Sequence, residues 1–175
     1  EVQSEDSEFV EIVVVRGTTV ERVTHNLVHD YSPAWAPDGR LLYVSSSGTM
    51  ARHRSTVYSY DGEHHTEVRI GVPYAYQLAP SPEGEVLFLG GEFGETSLYQ
   101  APATGGTAEL LAAIDGRNLQ WAPDGRYLVL DTGVVSLTHS LYRWDVTEQQ
   151  LVRLATEGNS SPAVSRDSEY IAFRS

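Results

Sequence analysis

The sequence predicts an all-β fold built from four-stranded antiparallel units, and three features of the chain indicate this. Pro-Asp-Gly or a close variant recurs between short apolar segments, as in "WAPDGRLLY" from Trp35 and "WAPDGRYLV" from Trp121. The acidic residues of these turns are 45, 41 and 43 residues apart and are Asp38, Glu83, Asp124 and Asp167. No long segment has helical periodicity. A strand-rich repeat of about 40–45 residues is typical of the blade of a β-propeller.

The Pro-Asp-Gly turn closes the first hairpin of each repeat. Pro37 fixes φ, the side chain of Asp38 can accept a hydrogen bond from the backbone ahead of it, and Gly39 tolerates a positive φ. The second copy assigns the same roles, in the same order, to Pro123, Asp124 and Gly125. We expect a positive φ at both glycines.

A second hairpin follows the first in each repeat, as in "STVYSYDGEHHTEVRI" from Ser55 and "SLYRWDVTEQQLVRL" from Ser140. Two hairpins supply the four antiparallel strands of one blade. The segments 41–44, 86–89 and 127–130 are continuously apolar rather than alternating. Strands packed between neighbouring blades are buried on both faces, which explains such runs.

The chain divides into three whole repeats flanked by two incomplete ones. The predicted parts of this single domain are an outer half-blade at 1–26, whole blades at 27–70, 71–113 and 114–157, and an inner half-blade at 158–175. The two half-blades are complementary, so about four blades result if the termini form one composite blade. In that blade we expect residues 11–15 to pair antiparallel with residues 170–174.

Three arrangements satisfy this pattern. The chain closes on itself as a four-blade ring, two chains exchange half-blades to form an eight-blade homodimer, or the chain is part of a longer propeller. Joining the termini covers the open strand edges in the first two arrangements, and open edges promote aggregation.

The repeats resemble those of the TolB-like family of WD-type propellers, whose units read W-S-P-D-G-R-x-L-A-F followed by an outer I-Y-x-x-D hairpin. "WAPDGRLLY", "WAPDGRYLV" and "LYRWDV" match well, "PSPEGEVLF" is a weaker copy, and "VSRDSEYIAF" lacks the proline and the glycine. The resemblance implies a propeller fold and a bacterial protein that works outside the cytoplasm, in the periplasm or secreted. Familiar members have six blades, so the four counted here depart from the family.

Composition narrows the classes of partner. The formal charge of −12 argues against nucleic acid, whose binding requires clustered cations. The chain has no cysteine, so it contains no disulfide or thiolate metal site. No apolar segment reaches the roughly 20 residues that span a bilayer.

No pattern in the sequence indicates catalysis, a metal site or a cofactor. His25 and His29 have helical spacing in a segment that reads as strand and loop, and His64 and His65 are adjacent in a hairpin turn. The G-x-S-x-G motif of a nucleophile elbow is absent. We therefore predict a noncatalytic protein without metal or cofactor.

The remaining candidate site is the loop surface at one mouth of the propeller, because binding residues concentrate in loops on rigid scaffolds. The candidate ligand-binding residues there are Tyr31, Arg52, Arg54, Tyr74, Tyr76 and Arg117. Tyrosine and arginine are enriched at protein interfaces. Packing of the tyrosines between blades is the competing interpretation.

We predict that the chain is a propeller module that binds a protein or a peptide. One alternative is a propeller accessory to a separate hydrolase domain, as in prolyl-oligopeptidase-like peptidases. Another is a carbohydrate-binding or carbohydrate-processing propeller, which would require converging carboxylates or a metal at the mouth.

Overall fold

The structure is a computed structural model that describes residues 9–47, 54–92, 95–132, 139–156 and 160–174. All regular secondary structure in these ranges is β-strand. Consistent with this, no helix in the described ranges is long and apolar enough to cross a membrane.

Sixteen strands in the described ranges form three four-stranded sheets and two hairpins. The N-terminal half-blade contains β1 (Val13–Arg16) and β2 (Thr19–Arg22). The first blade contains β3 (His29–Trp35), β4 (Leu41–Ser47), β5 (Arg54–Tyr60) and β6 (His65–Val68). The second blade contains β7 (Tyr74–Pro80), β8 (Glu85–Glu92), β9 (Glu95–Pro102) and β10 (Glu109–Ala112).

The third blade contains β11 (Gly116–Trp121), β12 (Tyr127–Thr132), β13 (Leu141–Asp145) and β14 (Gln150–Ala155). The C-terminal half-blade contains β15 (Ser160–Val164) and β16 (Ile171–Arg174). Neighbouring strands in every sheet are antiparallel and follow chain order. The inner strands β3, β7, β11 and β15 contact one another in succession, which confirms the predicted propeller of four-stranded antiparallel blades.

The hydrophobic core lies between the sheets. One apolar cluster joins the first and second blades around Val44 and Phe88, and another joins the second and third around Leu89 and Leu130. Smaller clusters attach the N-terminal half-blade to the first blade and the C-terminal half-blade to the third. The apolar runs 41–44, 86–89 and 127–130 are buried throughout, as predicted for strands covered on both faces.

The turn glycines have the predicted conformation, with φ of 86° at Gly39 and 72° at Gly125. The Asp38 carboxylate accepts the N–H of Arg40 at 3.1 Å, and that of Asp124 accepts the N–H of Arg126 at 3.0 Å. In both turns a hydrogen bond from a backbone N–H to the aspartate side chain stabilises the turn conformation.

The two Pro-Asp-Gly turns have the same sequence, but the hairpin of the third blade is one residue longer. The N–H of Ala36 donates to the carbonyl of Arg40, whereas the N–H of Ala122 donates to the carbonyl of Tyr127, one residue further along. The extra residue reverses the faces of the following strand, because side chains alternate along it. Leu41 therefore faces the preceding unit while Tyr127 faces the following one.

The two half-blades do not pair with each other within the chain. Among the described residues, β1 pairs only with β2 and β16 only with β15. Each half-blade packs on its own neighbour, and three whole blades lie between them in the chain. The predicted pairing of residues 11–15 with 170–174 is therefore not present inside one chain.

Replacing Gly125 by valine is expected to lower the free energy of unfolding by roughly 1–3 kcal/mol, because a β-branched residue is strained at positive φ. A Cβ at this position would also lie 3.3 Å from Cγ of Pro82. Denaturant unfolding measures the loss. Gly39→Val is the matched control, since its φ is also positive and no atom lies within 4 Å of the added Cβ. An unchanged stability in both variants would contradict the turn assignment.

Acid is expected to weaken the turn at Asp124. Hydrogen bonds from the backbone and side chain of Arg126 hold the pKa of Asp124 below its usual range. The stabilisation is fully present above about pH 4, the ordinary pKa of aspartate, and is lost as the pH falls through the lowered value. The melting temperatures of the wild type and of Asp124→Asn should therefore converge below that pH. A constant difference down to acid pH would contradict the assignment.

Candidate functional site

The candidate site is a groove along the inner strands, which we call the channel groove. Its volume is about 400 Å³. The residues that line it come from all three blades and from the C-terminal half-blade, and they are Ser32, Pro33, Gln77, Leu78, Asn118, Leu119, Gln120 and Pro162. All of these side chains are uncharged, so the groove presents neutral hydrogen-bonding groups between apolar ones.

Each inner strand is irregular where it borders the groove. In β3, β11 and β15 two residues lie opposite one residue of the neighbouring strand, which is the pattern of a β-bulge. One residue of each bulge has a left-handed backbone, with φ of 53° at Ser32, 52° at Asn118 and 55° at Ser161. Such conformations are strained for residues other than glycine and concentrate at functional sites.

Hydrogen bonds between blades hold these bulges in place. The hydroxyl of Ser32 donates to the carbonyl of Tyr76 in the second blade. The N–H of Leu119 donates to Oε1 of Gln77 at 3.4 Å. The groove is thus a rigid surface whose neighbouring strands support one another.

Asp131 is the buried anchor of the groove. Its side chain is 1% exposed. Nδ2 of Asn118 lies 2.9 Å from Oδ2 and 3.2 Å from Oδ1 of this carboxylate. The N–H of Ser161 donates to Oδ2 at 2.8 Å. The buried carboxylate of Asp131 therefore holds two left-handed residues on neighbouring inner strands. One belongs to the third blade and the other to the C-terminal half-blade.

Two of the predicted tyrosines connect neighbouring blades. The hydroxyl of Tyr31 donates to the carbonyl of Ala75 at 3.4 Å, and that of Tyr76 donates to the carbonyl of Gly116. Burial raises the pKa of both hydroxyls above the usual range. Asp30, Ala75 and Gly116 occupy equivalent positions in the three inner strands. Each lies six residues before the N–H that closes the hairpin turn of its own blade.

Three of the other predicted residues lie at the mouth where the inner strands begin. Tyr74 stacks on Tyr76 with ring centroids 5.8 Å apart. Arg54 begins β5 and is exposed, and Arg117 lies in β11 beside the bulge. Arg52 lies outside the described residues.

Sequence reasoning did not identify the bulges or Asp131. Proline within a strand marks a bulge, so the Ser-Pro pairs at 32–33 and 161–162 were the available signal. Asp131 directly follows the apolar run of β12, one residue before the strand ends, and a lone carboxylate in that position marks a buried hydrogen-bonding role. Across the described ranges, no group of three His, Cys, Asp or Glu could hold a metal ion.

Comparison with known proteins shows the fold. The chain is 28% identical over 153 residues to an uncharacterized protein of Agrobacterium fabrum, covering 82% of this chain and 50% of that protein. TolB from Acinetobacter baumannii matches with a TM-score of 0.64 and 20% identity, over 90% of this chain and 40% of TolB. Oligogalacturonate lyase from Vibrio parahaemolyticus matches with a TM-score of 0.68 and 8% identity, over 93% of this chain and 52% of the lyase.

The chain spans about half the length of the curated relative that it matches. No family model matches the sequence. The likenesses establish a TolB-like β-propeller fold.

Proposed function

We propose that the chain is a noncatalytic propeller module that binds a protein or peptide segment along the channel groove and its mouth. The observation that supports this most is the row of left-handed bulges at Ser32, Asn118 and Ser161. A bulge leaves backbone groups out of the sheet ladder. The N–H groups of Leu119 and Ser161 are already bonded to Gln77 and Asp131. An extended peptide would therefore pair with the remaining backbone groups and the polar side chains of the groove.

The chemistry of the lining favours binding over catalysis. General acid–base and nucleophilic mechanisms require a titratable or activated group within reach of the substrate. The lining of the channel groove contains only Ser, Pro, Gln, Leu and Asn side chains. The Ser, Gln and Asn side chains donate and accept hydrogen bonds without ionising, so they suit a neutral polar segment.

The predicted arginine residues at the mouth add charged groups beside this groove. Arg54 is exposed there, and Arg117 adjoins Asn118 at the bulge. These guanidinium groups would pair with carboxylates that flank the bound segment. A location outside the bacterial cytoplasm is part of the proposal and rests on the TolB-like resemblance.

Binding is tested with displayed short peptides selected on the intact chain, followed by fluorescence anisotropy with the labelled peptide. The double variant Gln77→Ala with Gln120→Ala removes two hydrogen-bonding side chains from the groove. We expect its affinity to fall at least tenfold. Gln150→Ala, on the outer strand β14, is the matched control and should bind like the wild type.

Two results would overturn the proposal. The first is equal affinity in the groove variant and the control variant. The second is turnover of oligogalacturonate, ester or peptide substrates by the purified chain, which would favour an enzymatic propeller. Melting curves of both variants establish that they are folded, so a loss of affinity is not a loss of structure.

A further inference from the structure

Two amide side chains of the channel groove are held in one orientation by hydrogen bonds to the protein. They are Gln77 on β7 and Asn118 on β11, two inner strands that contact each other. An amide has a donor end, the NH2 group, and an acceptor end, the carbonyl oxygen. A bond to one end decides which end is left for a ligand, so the protein partners of these two amides determine what the groove offers.

Asn118 turns its NH2 group toward the buried carboxylate of Asp131. Its Nδ2 lies 2.9 Å from Oδ2 and 3.2 Å from Oδ1 of that carboxylate. A carboxylate accepts hydrogen bonds and does not donate them, so the opposite orientation would place acceptors against each other in a buried position. Oδ1 of Asn118 has no hydrogen-bond partner among the described residues. It is the acceptor that this exposed side chain presents to the groove.

Gln77 has the reverse orientation. The N–H of Leu119 donates to Oε1 of Gln77 at 3.4 Å. A backbone N–H can only donate, so it selects the oxygen end of the amide. Nε2 of Gln77 has no acceptor in the part of the chain that the structure describes. It is therefore the donor that Gln77 presents to the groove.

The acceptor and the donor belong to the same junction between blades. Leu119, which bonds to Gln77, directly follows Asn118 in β11. The hydroxyl of Ser32, which also lines the groove, already donates to the carbonyl of Tyr76. The junction of β7 and β11 thus offers a ligand one fixed acceptor and one fixed donor.

Such a pair is complementary to an amide and not to a charged group. A carboxylate has only acceptors and would leave Oδ1 of Asn118 without a donor, whereas an ammonium group has only donors and would leave Nε2 of Gln77 without an acceptor. An amide satisfies both groups. Sites that bind a ligand through hydrogen bonds reject analogues that leave one of their polar groups unpaired.

We infer that the channel groove selects an amide group of its ligand, which donates to Oδ1 of Asn118 and accepts from Nε2 of Gln77. Asp131 is the positioning residue that sets this preference, because it acts on the ligand only through Asn118. The inference rests on the proposed function, since it names the chemistry that a bound peptide presents to the groove. The amide belongs to the peptide backbone or to a Gln or Asn side chain.

Asp131→Asn is expected to reverse the orientation of Asn118. The oxygen of the new amide accepts the N–H of Ser161, as Oδ2 of Asp131 does, and its NH2 group then faces Nδ2 of Asn118. Two donors cannot bond each other, so the Asn118 amide turns over and presents its NH2 group to the groove. The groove of this variant has two donors and prefers a carboxylate.

Gln77→Glu is expected to have the opposite effect. One oxygen of the new carboxylate accepts the N–H of Leu119, and the other replaces the donor Nε2. The groove of this variant has two acceptors and prefers an ammonium group. The variant leaves Asp131 in place, so it tests the pair independently of the buried carboxylate.

The orientation of Asn118 is tested first, without a ligand. We expect its Nδ2 protons to exchange slowly with solvent in NMR spectra of the wild type, and about tenfold faster in Asp131→Asn, because the bond to the buried carboxylate is lost. Asp145→Asn on β13 removes the same charge and should leave this exchange unchanged. Fast exchange in the wild type would overturn the assigned orientation.

The preference is then measured by titrating the intact chain with acetamide, acetate or ethylammonium while the amide resonances of Asn118 are followed. We expect the wild type to bind acetamide about tenfold more tightly than either ion. Asp131→Asn should prefer acetate, and Gln77→Glu should prefer ethylammonium. Gln150→Glu on β14 makes the same charge change as Gln77→Glu and should keep the wild-type preference.

Three results would overturn the inference. The first is the lack of a saturable shift with acetamide, or equal binding of the three fragments by the wild type. The second is an unchanged preference in both groove variants. The third is the same change of preference in Gln150→Glu as in Gln77→Glu, which would show a general charge effect. Melting curves of every variant establish that it is folded.

The selected peptides identify the source of the amide. N-methylation removes a backbone N–H, and replacement of Gln or Asn in the peptide by Glu or Asp removes a side-chain donor. The change that lowers affinity about tenfold identifies the amide that the groove binds. Acetamide selectivity without any selected peptide would overturn the proposed function alone. A selected peptide that tolerates every one of these changes would overturn this inference alone.

Discussion

Phe88→Ala is expected to lower the free energy of unfolding by about 3–5 kcal/mol, the range for removing a buried aromatic ring from a packed core. Phe88 is 0% exposed and lies in the cluster that joins the first and second blades. Its ring also stacks on Tyr99 with centroids 5.5 Å apart. Phe88 packs with residues of both blades, so its loss weakens the interface between them.

Denaturant unfolding followed by tryptophan fluorescence measures this loss. Leu110→Ala is the control, because Leu110 is 55% exposed on the outermost strand of the second blade and should change stability little. Equal effects in the two variants would mean that the blade interface contributes no more than the surface.

Asp131→Ala is expected to lower the free energy of unfolding by about 1–3 kcal/mol, because it removes a buried carboxylate and leaves two donors without their acceptor. The groups affected are the amide of Asn118 and the N–H of Ser161. Since Ser161 belongs to the C-terminal half-blade, we expect its strand β15 to detach before the three blades unfold.

Hydrogen exchange distinguishes this local detachment from a global loss of stability. The amides of Ser160, Ser161, Ala163 and Val164 should exchange faster in Asp131→Ala, while those of residues 86–89 stay protected. Glu109→Ala, an exposed carboxylate at the start of β10, is the control and should leave both segments unchanged. Uniform acceleration in every blade would contradict the role of Asp131 as a local anchor.

The fold was predictable because its signals are local. Asp38 and Gly39 form the turn that their sequence indicates, and the apolar run 86–89 is buried on both faces as such a run predicts. Turn chemistry and strand periodicity depend on neighbouring residues, so a single sequence contains them.

The site was less predictable because it depends on contacts between blades. The hydroxyls of Tyr31 and Tyr76 reach carbonyls more than 30 residues away, and no local pattern distinguishes such a tyrosine from one that meets a ligand. Ser32 and Asn118 both have a left-handed backbone but are different amino acids. Their common conformation is therefore visible only in the structure. The role of Arg54 and Arg117 in ligand binding stays a prediction.

The two turn lengths restrict how blades of this protein can be exchanged or averaged. A consensus sequence derived by aligning the Pro-Asp-Gly motifs would superimpose Leu41 on Tyr127, although these residues face opposite neighbours. The correct partner of Leu41 is Leu128, because each lies opposite the tryptophan of its own motif. Transplanting β4 into the third blade therefore requires one inserted residue after the turn, without which every apolar side chain of the graft would point to the wrong interface.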